Sequence, residues 1–165
     1  MENKFIIAVY VENTAGVLTR VTGMFTRRGF NIDTLTGSGT ESDKYARITI
    51  CMRGDDYVKE QMINQLRKLV VVKKVEVLKD EPIQRELILI KVKNDTVSRN
   101  DVMAAVEVFR ASVIDYSPES MCIEVTGNPS KIDAFVKLME PFGILEMCRT
   151  GIVALERGAN MLLAE

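Results

Sequence analysis

The chain has 165 residues, 47% of them hydrophobic, with a formal net charge of −1 and no histidine. That length holds one medium domain or two small ones with enough apolar residues for a real core. The charge balance argues against a nucleic-acid or anionic-membrane role, since both need a cationic surface. Without histidine there is no Ser-His-Asp or Cys-His nucleophile pair, and the commonest general base is missing. Cys51, Cys122 and Cys148 are odd in number and widely spaced, which does not fit a disulfide framework or a zinc site; Cys51 and Cys122 sit in strand-like runs and read as buried thiols. No Walker sequence is present, and no apolar run approaches the roughly 20 residues that span a bilayer. The first residues, MENKFIIAVYVEN, lack the features of a secretory signal, so a cytoplasmic location is expected. The acid pairs Asp55-Asp56 and Asp80-Glu81 fall between predicted elements and read as solvated. An enzyme therefore has little support.

Taken in order, Phe5 to Val11, FIIAVYV, reads as a buried strand because it is almost wholly apolar. Glu12 to Gly16 breaks the run, and Asn13 and Thr14 are candidate helix caps. Val17, Leu18, Val21, Met24 and Phe25 recur at helical spacing, and Gly29 is the expected terminating residue. Arg20, Arg27 and Arg28 lie off the apolar face. They read as a solvated surface or as part of a docking surface. A strand follows over 32–36, then a turn cluster over Gly37 to Asp43. Tyr45 to Met52 should pair back as a hairpin. Gly54-Asp55-Asp56 opens a second helix bearing Val58, Met62, Ile63 and Leu66, and Val70 to Leu78 is a further strand. The order strand, helix, strand, strand, helix, strand gives a four-stranded antiparallel sheet with both helices on one face, the ferredoxin-like arrangement.

Residues 80–84 read as a short linker between a first domain over 1–79 and a second over 85–165. In the second, the pattern restarts at Leu87 to Val92. A helix follows from Ser98 to Phe109, then strands at 112–116 and 121–126. A helix opens at Gly127-Asn128-Pro129-Ser130. A last strand region covers 144–155, interrupted at Gly151, and the tail from Arg157 is expected to be loose. The fold class is α+β, two tandem ferredoxin-like βαββαβ domains. The first units of the halves align at an offset of 82 residues, Phe5 onto Leu87, which suggests a duplication. Where the first half has Asn13-Thr14-Ala15-Gly16-Val17-Leu18, the second has Asp95-Thr96-Val97-Ser98-Arg99-Asn100, without glycine. Asn31 is matched by Val113.

Chemistry concentrates in the first of these turns. A helix N-terminus offers free N–H groups and partial positive charge, a place for a carboxylate. Asn13 and Asn31 each offer a donor and an acceptor. If the two strand ends lie near each other, they flank a small zwitterion; otherwise Asn13 is a cap and Asn31 a turn residue.

The stretch VENTAGVLTRVTGMFTRRGFNIDTLT resembles an ACT domain, a module of amino-acid sensors. KLVVVKKV, RELILIKVK, VEVFRASVIDYSPES, VTGNPSKIDAF and RTGIVALERG follow in order. Together they resemble the small regulatory subunit of acetolactate synthase (acetohydroxyacid synthase) along essentially the whole length. The resemblance implies an N-terminal ACT domain, a homodimer paired through it, and no activity or cofactor in this subunit. It implies a large catalytic subunit that carries thiamine diphosphate, FAD and magnesium, is activated by this one, and loses that activation when valine binds. By the family pattern, Asn13, Gly16, Val17 and Leu18 of one protomer and Asn31 and Ile32 of its partner form the valine site. The family usually has a less glycine-rich segment than Gly37-Ser38-Gly39, a departure that loosens the expected turn and bears on valine affinity. The alternative is an ACT-domain sensor regulating a different enzyme. An acylphosphatase is disfavoured because the first loop has no arginine. An RNA-binding sheet is disfavoured because only Tyr45 offers a stacking aromatic on the third strand.

Overall fold

The computed structural model describes residues 3–79 and 81–162. The chain forms two compact units, Met1–Ile83 with Ile152–Glu165, and Gln84–Gly151.

In the first unit the elements are β1 (Asn3–Glu12), α1 (Val17–Arg27), β2 (Ile32–Gly39), β3 (Tyr45–Gly54), α2 (Asp56–Arg67) and β4 (Val72–Val77). The sheet order is β2-β3-β1-β4, and the β1–β3, β1–β4 and β2–β3 pairings are antiparallel. Ile7, Val9 and Val11 of β1 pack with Val21, Phe25, Met62 and Leu66 of the two helices. The alternate β1 residues Ile6, Ala8 and Tyr10 are also buried, with Cys51, Leu78, Ile152, Ala154 and Leu162. Thus β1 is covered on both faces, which is why its sequence is apolar without alternation. The Arg47 guanidinium donates to the Ala154 carbonyl at 2.7 Å. This cover is where the structure departs from the expected boundary. Residues 152–162 complete the first unit instead of ending the second, because they carry the apolar side chains that its open face needs. Leu162 is buried and Arg157 donates to the Glu81 carbonyl, so the described part of the tail is fastened. Asp80 of the linker and tail residues 163–165 lie outside the described residues.

The second unit repeats the topology with β5 (Ile83–Lys93), α3 (Arg99–Val108), β6 (Ser112–Tyr116), β7 (Ser120–Gly127), α4 (Pro129–Met139) and β8 (Ile144–Arg149). Its strand order is β6-β7-β5-β8, the counterpart of the first. The register irregularities in the first sheet, at 32/34 and 10/11, recur at 113/115 and 91/92. The α+β, ferredoxin-like reading holds in both halves. A short extended segment, β9 (Val153–Leu155), belongs to the C-terminal stretch of the first unit.

Two local expectations fail. Gly37, Ser38 and Gly39 are strand, paired with Ile48, Arg47 and Ala46; the turn lies beyond them, with Thr40 Oγ1 accepting from the Ser42 amide. Their composition favours a turn, but β3 supplies a continuous ladder opposite them. The helix caps also differ: Asp55 and Asn128 cap α2 and α4 through their side chains, whereas Asn13 and Thr14 cap nothing.

Candidate functional site

The N-cap of α1 is Gly16, with φ 79°, and it has no side-chain capping bond. A left-handed φ suits glycine because a Cβ would be strained there. Val17 N–H donates to the Thr14 carbonyl at 3.2 Å and Arg20 N–H to the Gly16 carbonyl at 3.0 Å. The Leu18 and Thr19 amides have neither a backbone nor a side-chain partner among the described residues. The first turn of α1 contains no acidic residue. An unfilled pair of N–H groups at a helix N-terminus, with the positive end of the dipole behind it, suits a carboxylate. Thr19 was not a candidate in the sequence. Counting from Gly16 as N-cap, instead of Asn13 or Thr14, brings it into the donor set.

Asn13 is held by backbone and side chain. Its amide donates to the Lys44 carbonyl at 2.8 Å, and its Nδ2 donates to the Asp43 carbonyl at 3.2 Å. Asn13 therefore fastens the turn before β3. Val17 turns its side chain into the core. Leu18 is 46% exposed, and its Cδ2 lies 3.3 Å from where a Cβ on Gly37 would stand. The glycine-rich stretch therefore makes room for Leu18 on the sheet instead of loosening a turn.

Asn31 and Ile32 are elsewhere. Ile32 pairs with Met52, which also pairs with Phe5, while Glu12 pairs with Tyr45 at the other end of β1. Nine strand steps of about 3.3 Å put Asn31 roughly 30 Å from Asn13 along the sheet. The idea that both strand ends flank one ligand within a single chain fails, because β1 and β2 run parallel with β3 between them. Asn31 instead lines a cleft of about 360 Å³ with Phe30, Asp33 and Arg53, where Arg53 Nε meets Asp33 Oδ2 at 3.1 Å. Ile32 is half-buried against the first core.

The corresponding turn of the second unit is braced by its own side chains, although Ser98, the N-cap of α3, makes no side-chain capping bond either. Asn94 is buried; its Nδ2 donates to the Ser117 carbonyl and its Oδ1 accepts from Arg99 Nε at 2.8 Å. Asp95 Oδ1 accepts from the Val97 amide, and Asp101 occupies the first turn of α3.

Comparison with known proteins identifies the family. A model described as the small subunit of acetolactate synthase matches residues 85–158, and one described as an AHAS small subunit-like ACT domain matches residues 7–74. A probable acetolactate synthase small subunit of Archaeoglobus fulgidus is 48% identical over 155 residues, covering 94% of this chain and 98% of its own length. The chain belongs to the acetolactate synthase small-subunit family. An acetolactate synthase small subunit of Mycobacterium bovis is 47% identical over 153 residues, 92% of this chain and 91% of its own. The crystal structure of the acetolactate synthase small subunit from Thermotoga maritima matches with a TM-score of 0.90 and 37% identity, covering 96% and 99% of the two chains. This family is regulatory and not itself catalytic; catalysis and its cofactors belong to a large-subunit partner. Among the described residues, no group of three or more His, Cys, Asp or Glu could hold a metal ion. No helix there is long and apolar enough to cross a membrane.

Proposed function

We propose that this cytoplasmic subunit activates the large subunit of acetolactate synthase and withdraws that activation when valine binds between two paired first units, giving feedback control of branched-chain amino-acid synthesis. The open N-terminus of α1, with its unpartnered Leu18 and Thr19 amides, carries the reading. It receives the ligand carboxylate. The ammonium takes Asn13 Oδ1 and the side-chain oxygen of Asn31 of the partner subunit. The isopropyl group packs against Leu18 and Ile32 of the partner subunit. Val17 contributes through its place in the backbone, since its amide is already bonded.

Pairing of two copies would let residues roughly 30 Å apart in one chain share a site. The first sheet has two edges, β2 and β4. Edge β4, VKKVEV, is guarded by charge, whereas β2, IDTLTGSG, has one acid and small residues. An unguarded edge is the one that accepts another strand. Antiparallel pairing of two β2 strands brings the start of one beside the end of the other. Asn31 and Ile32 of the partner subunit then approach Gly37 to Gly39, where Leu18 lies.

A site shared by two chains ties the ligand to dimer geometry. The ligand shifts the balance of states only by its difference in affinity between them, and coupling of about 1–3 kcal/mol is typical. Isothermal titration with valine, with leucine, isoleucine and threonine in parallel, tests the reading. Saturable heat lost in Asn13→Ala is expected, together with relief of valine inhibition in the reconstituted enzyme. Unchanged inhibition in both Asn13→Ala and Gly16→Asp would overturn the site.

A further inference from the structure

A second feature of α1 lies along its side and at its far end. Arg20, Met24, Arg27 and Arg28 recur at i, i+4, i+7 and i+8, one stripe of the helix. With Lys68 at the end of α2 and Val70 beyond it, they line a cleft of about 680 Å³. Among the described residues, none of these four cations is in an ion pair, whereas Arg53, Lys59, Lys73 and Lys74 of the same unit all are. The helix dipole accounts for Arg27, Arg28 and Lys68, which sit at C-terminal ends, but it disfavours Arg20 in the N-terminal half of α1. Val70 is 86% exposed, an apolar residue at the rim of a cationic cleft. Unpaired arginines around an exposed apolar residue match the composition of protein interfaces.

We propose that this cleft is where the catalytic large subunit docks, through an acidic segment that also covers Val70. The proposal rests on the family reading above. The spread of charge selects a protein segment over a small anion: Arg20 and Arg27 are seven residues apart, about 10 Å along the helix. One phosphate or carboxylate does not reach both, but successive acidic side chains do. The placement also gives the regulation a route. Effector contact at Gly16 and partner contact at Arg27 and Arg28 lie on one rigid helix of 11 residues, about 16 Å long.

The test uses the full-length chain and the purified large subunit of the same organism. Arg27→Glu with Arg28→Glu, and separately Arg20→Glu, should weaken association at least about 10-fold and lower activation, while melting temperature and valine titration stay as in the wild type. Arg27→Lys with Arg28→Lys should restore most of the association, and added salt should weaken it in the wild type. Reversal variants that associate and activate like the wild type would overturn the docking surface and leave the family function intact. A wild-type chain that does not associate at all would overturn both. Saturable tripolyphosphate binding, lost on reversal while large-subunit affinity holds, would assign the cleft to a small anion and likewise overturn the proposal.

Discussion

The two halves build the same sheet, yet they use the turn after the first strand in opposite ways. In the second unit, Asn94, Asp95, Ser117 and Arg99 close that turn with hydrogen bonds of their own. In the first, Gly16 turns the chain at a left-handed φ and no acid stands in the first turn of α1, whereas α3, whose N-cap Ser98 likewise makes no side-chain capping bond, carries Asp101 there. An acid in the first turn of a helix occupies the place a ligand carboxylate would take, and in the first unit that place holds no acid. The faces differ as well. β1 is buried on both sides. β5 alternates, with Ile88, Ile90 and Val92 buried and Leu87, Leu89 and Lys91 half-exposed.

The contrast is broken most directly at Gly16. Gly16→Asp should lower valine affinity at least about 100-fold, since like charges brought together cost several kcal/mol; Ser98→Asp at the matching place should leave titration and melting unchanged. Gly16→Ala separates charge from strain. A Cβ there meets nothing within 4 Å, so the cost is the left-handed φ, about 1–2 kcal/mol in thermal stability, with most of the binding kept.

The asparagines sharpen the comparison from the other side. Asn94→Ala should cost about 1–3 kcal/mol in urea denaturation, because it removes a buried side chain that bonds both Arg99 and the Ser117 carbonyl. Asn13→Ala, at an exposed position, should stay within about 0.5 kcal/mol while losing valine binding. The second helices serve as controls, because Asp55 and Asn128 cap them alike. Each change to alanine should cost about 1 kcal/mol, and a clear inequality would show that the halves differ in more than their first turns. The smallest perturbation is chemical labelling. Burial pushes the Cys51 thiol up, so less thiolate is present at neutral pH. Iodoacetamide should modify exposed Cys148 first and Cys51 only after unfolding, as peptide mass analysis would show.

Much of this was legible in the sequence because periodicity reports burial. FIIAVYV announced a strand covered on both sides, and the stripes of Val21 to Phe25 and Met62 to Leu66 announced helices on one face. Gly29 was legible as the end of α1: its φ is 69°, and the Phe30 amide reaches back to the Phe25 carbonyl. What was not legible depended on partners distant in sequence. Gly37 to Gly39 looks like a turn until β3 lies beside it and Leu18 packs over it. Asn13 looks like a cap until the carbonyls of Asp43 and Lys44 take its donors. The distance between Asn13 and Asn31 follows from strand order, which no local pattern states. The cover over β1 comes from residues 152–162, too far along the chain for any window to connect.

That cover sets a schedule for synthesis. The first unit cannot seal the face bearing Ile6, Ala8 and Tyr10 until residues 152–162 leave the ribosome, 75 to 85 residues after the end of β4 at Val77. At about 5–20 residues per second, the nascent sheet keeps an oily side exposed for roughly 4–17 s, while the second unit folds within the interval. A ribosome-bound fragment ending near residue 84 should therefore recruit chaperones, and release should depend on the last strand and not on completion of the first four.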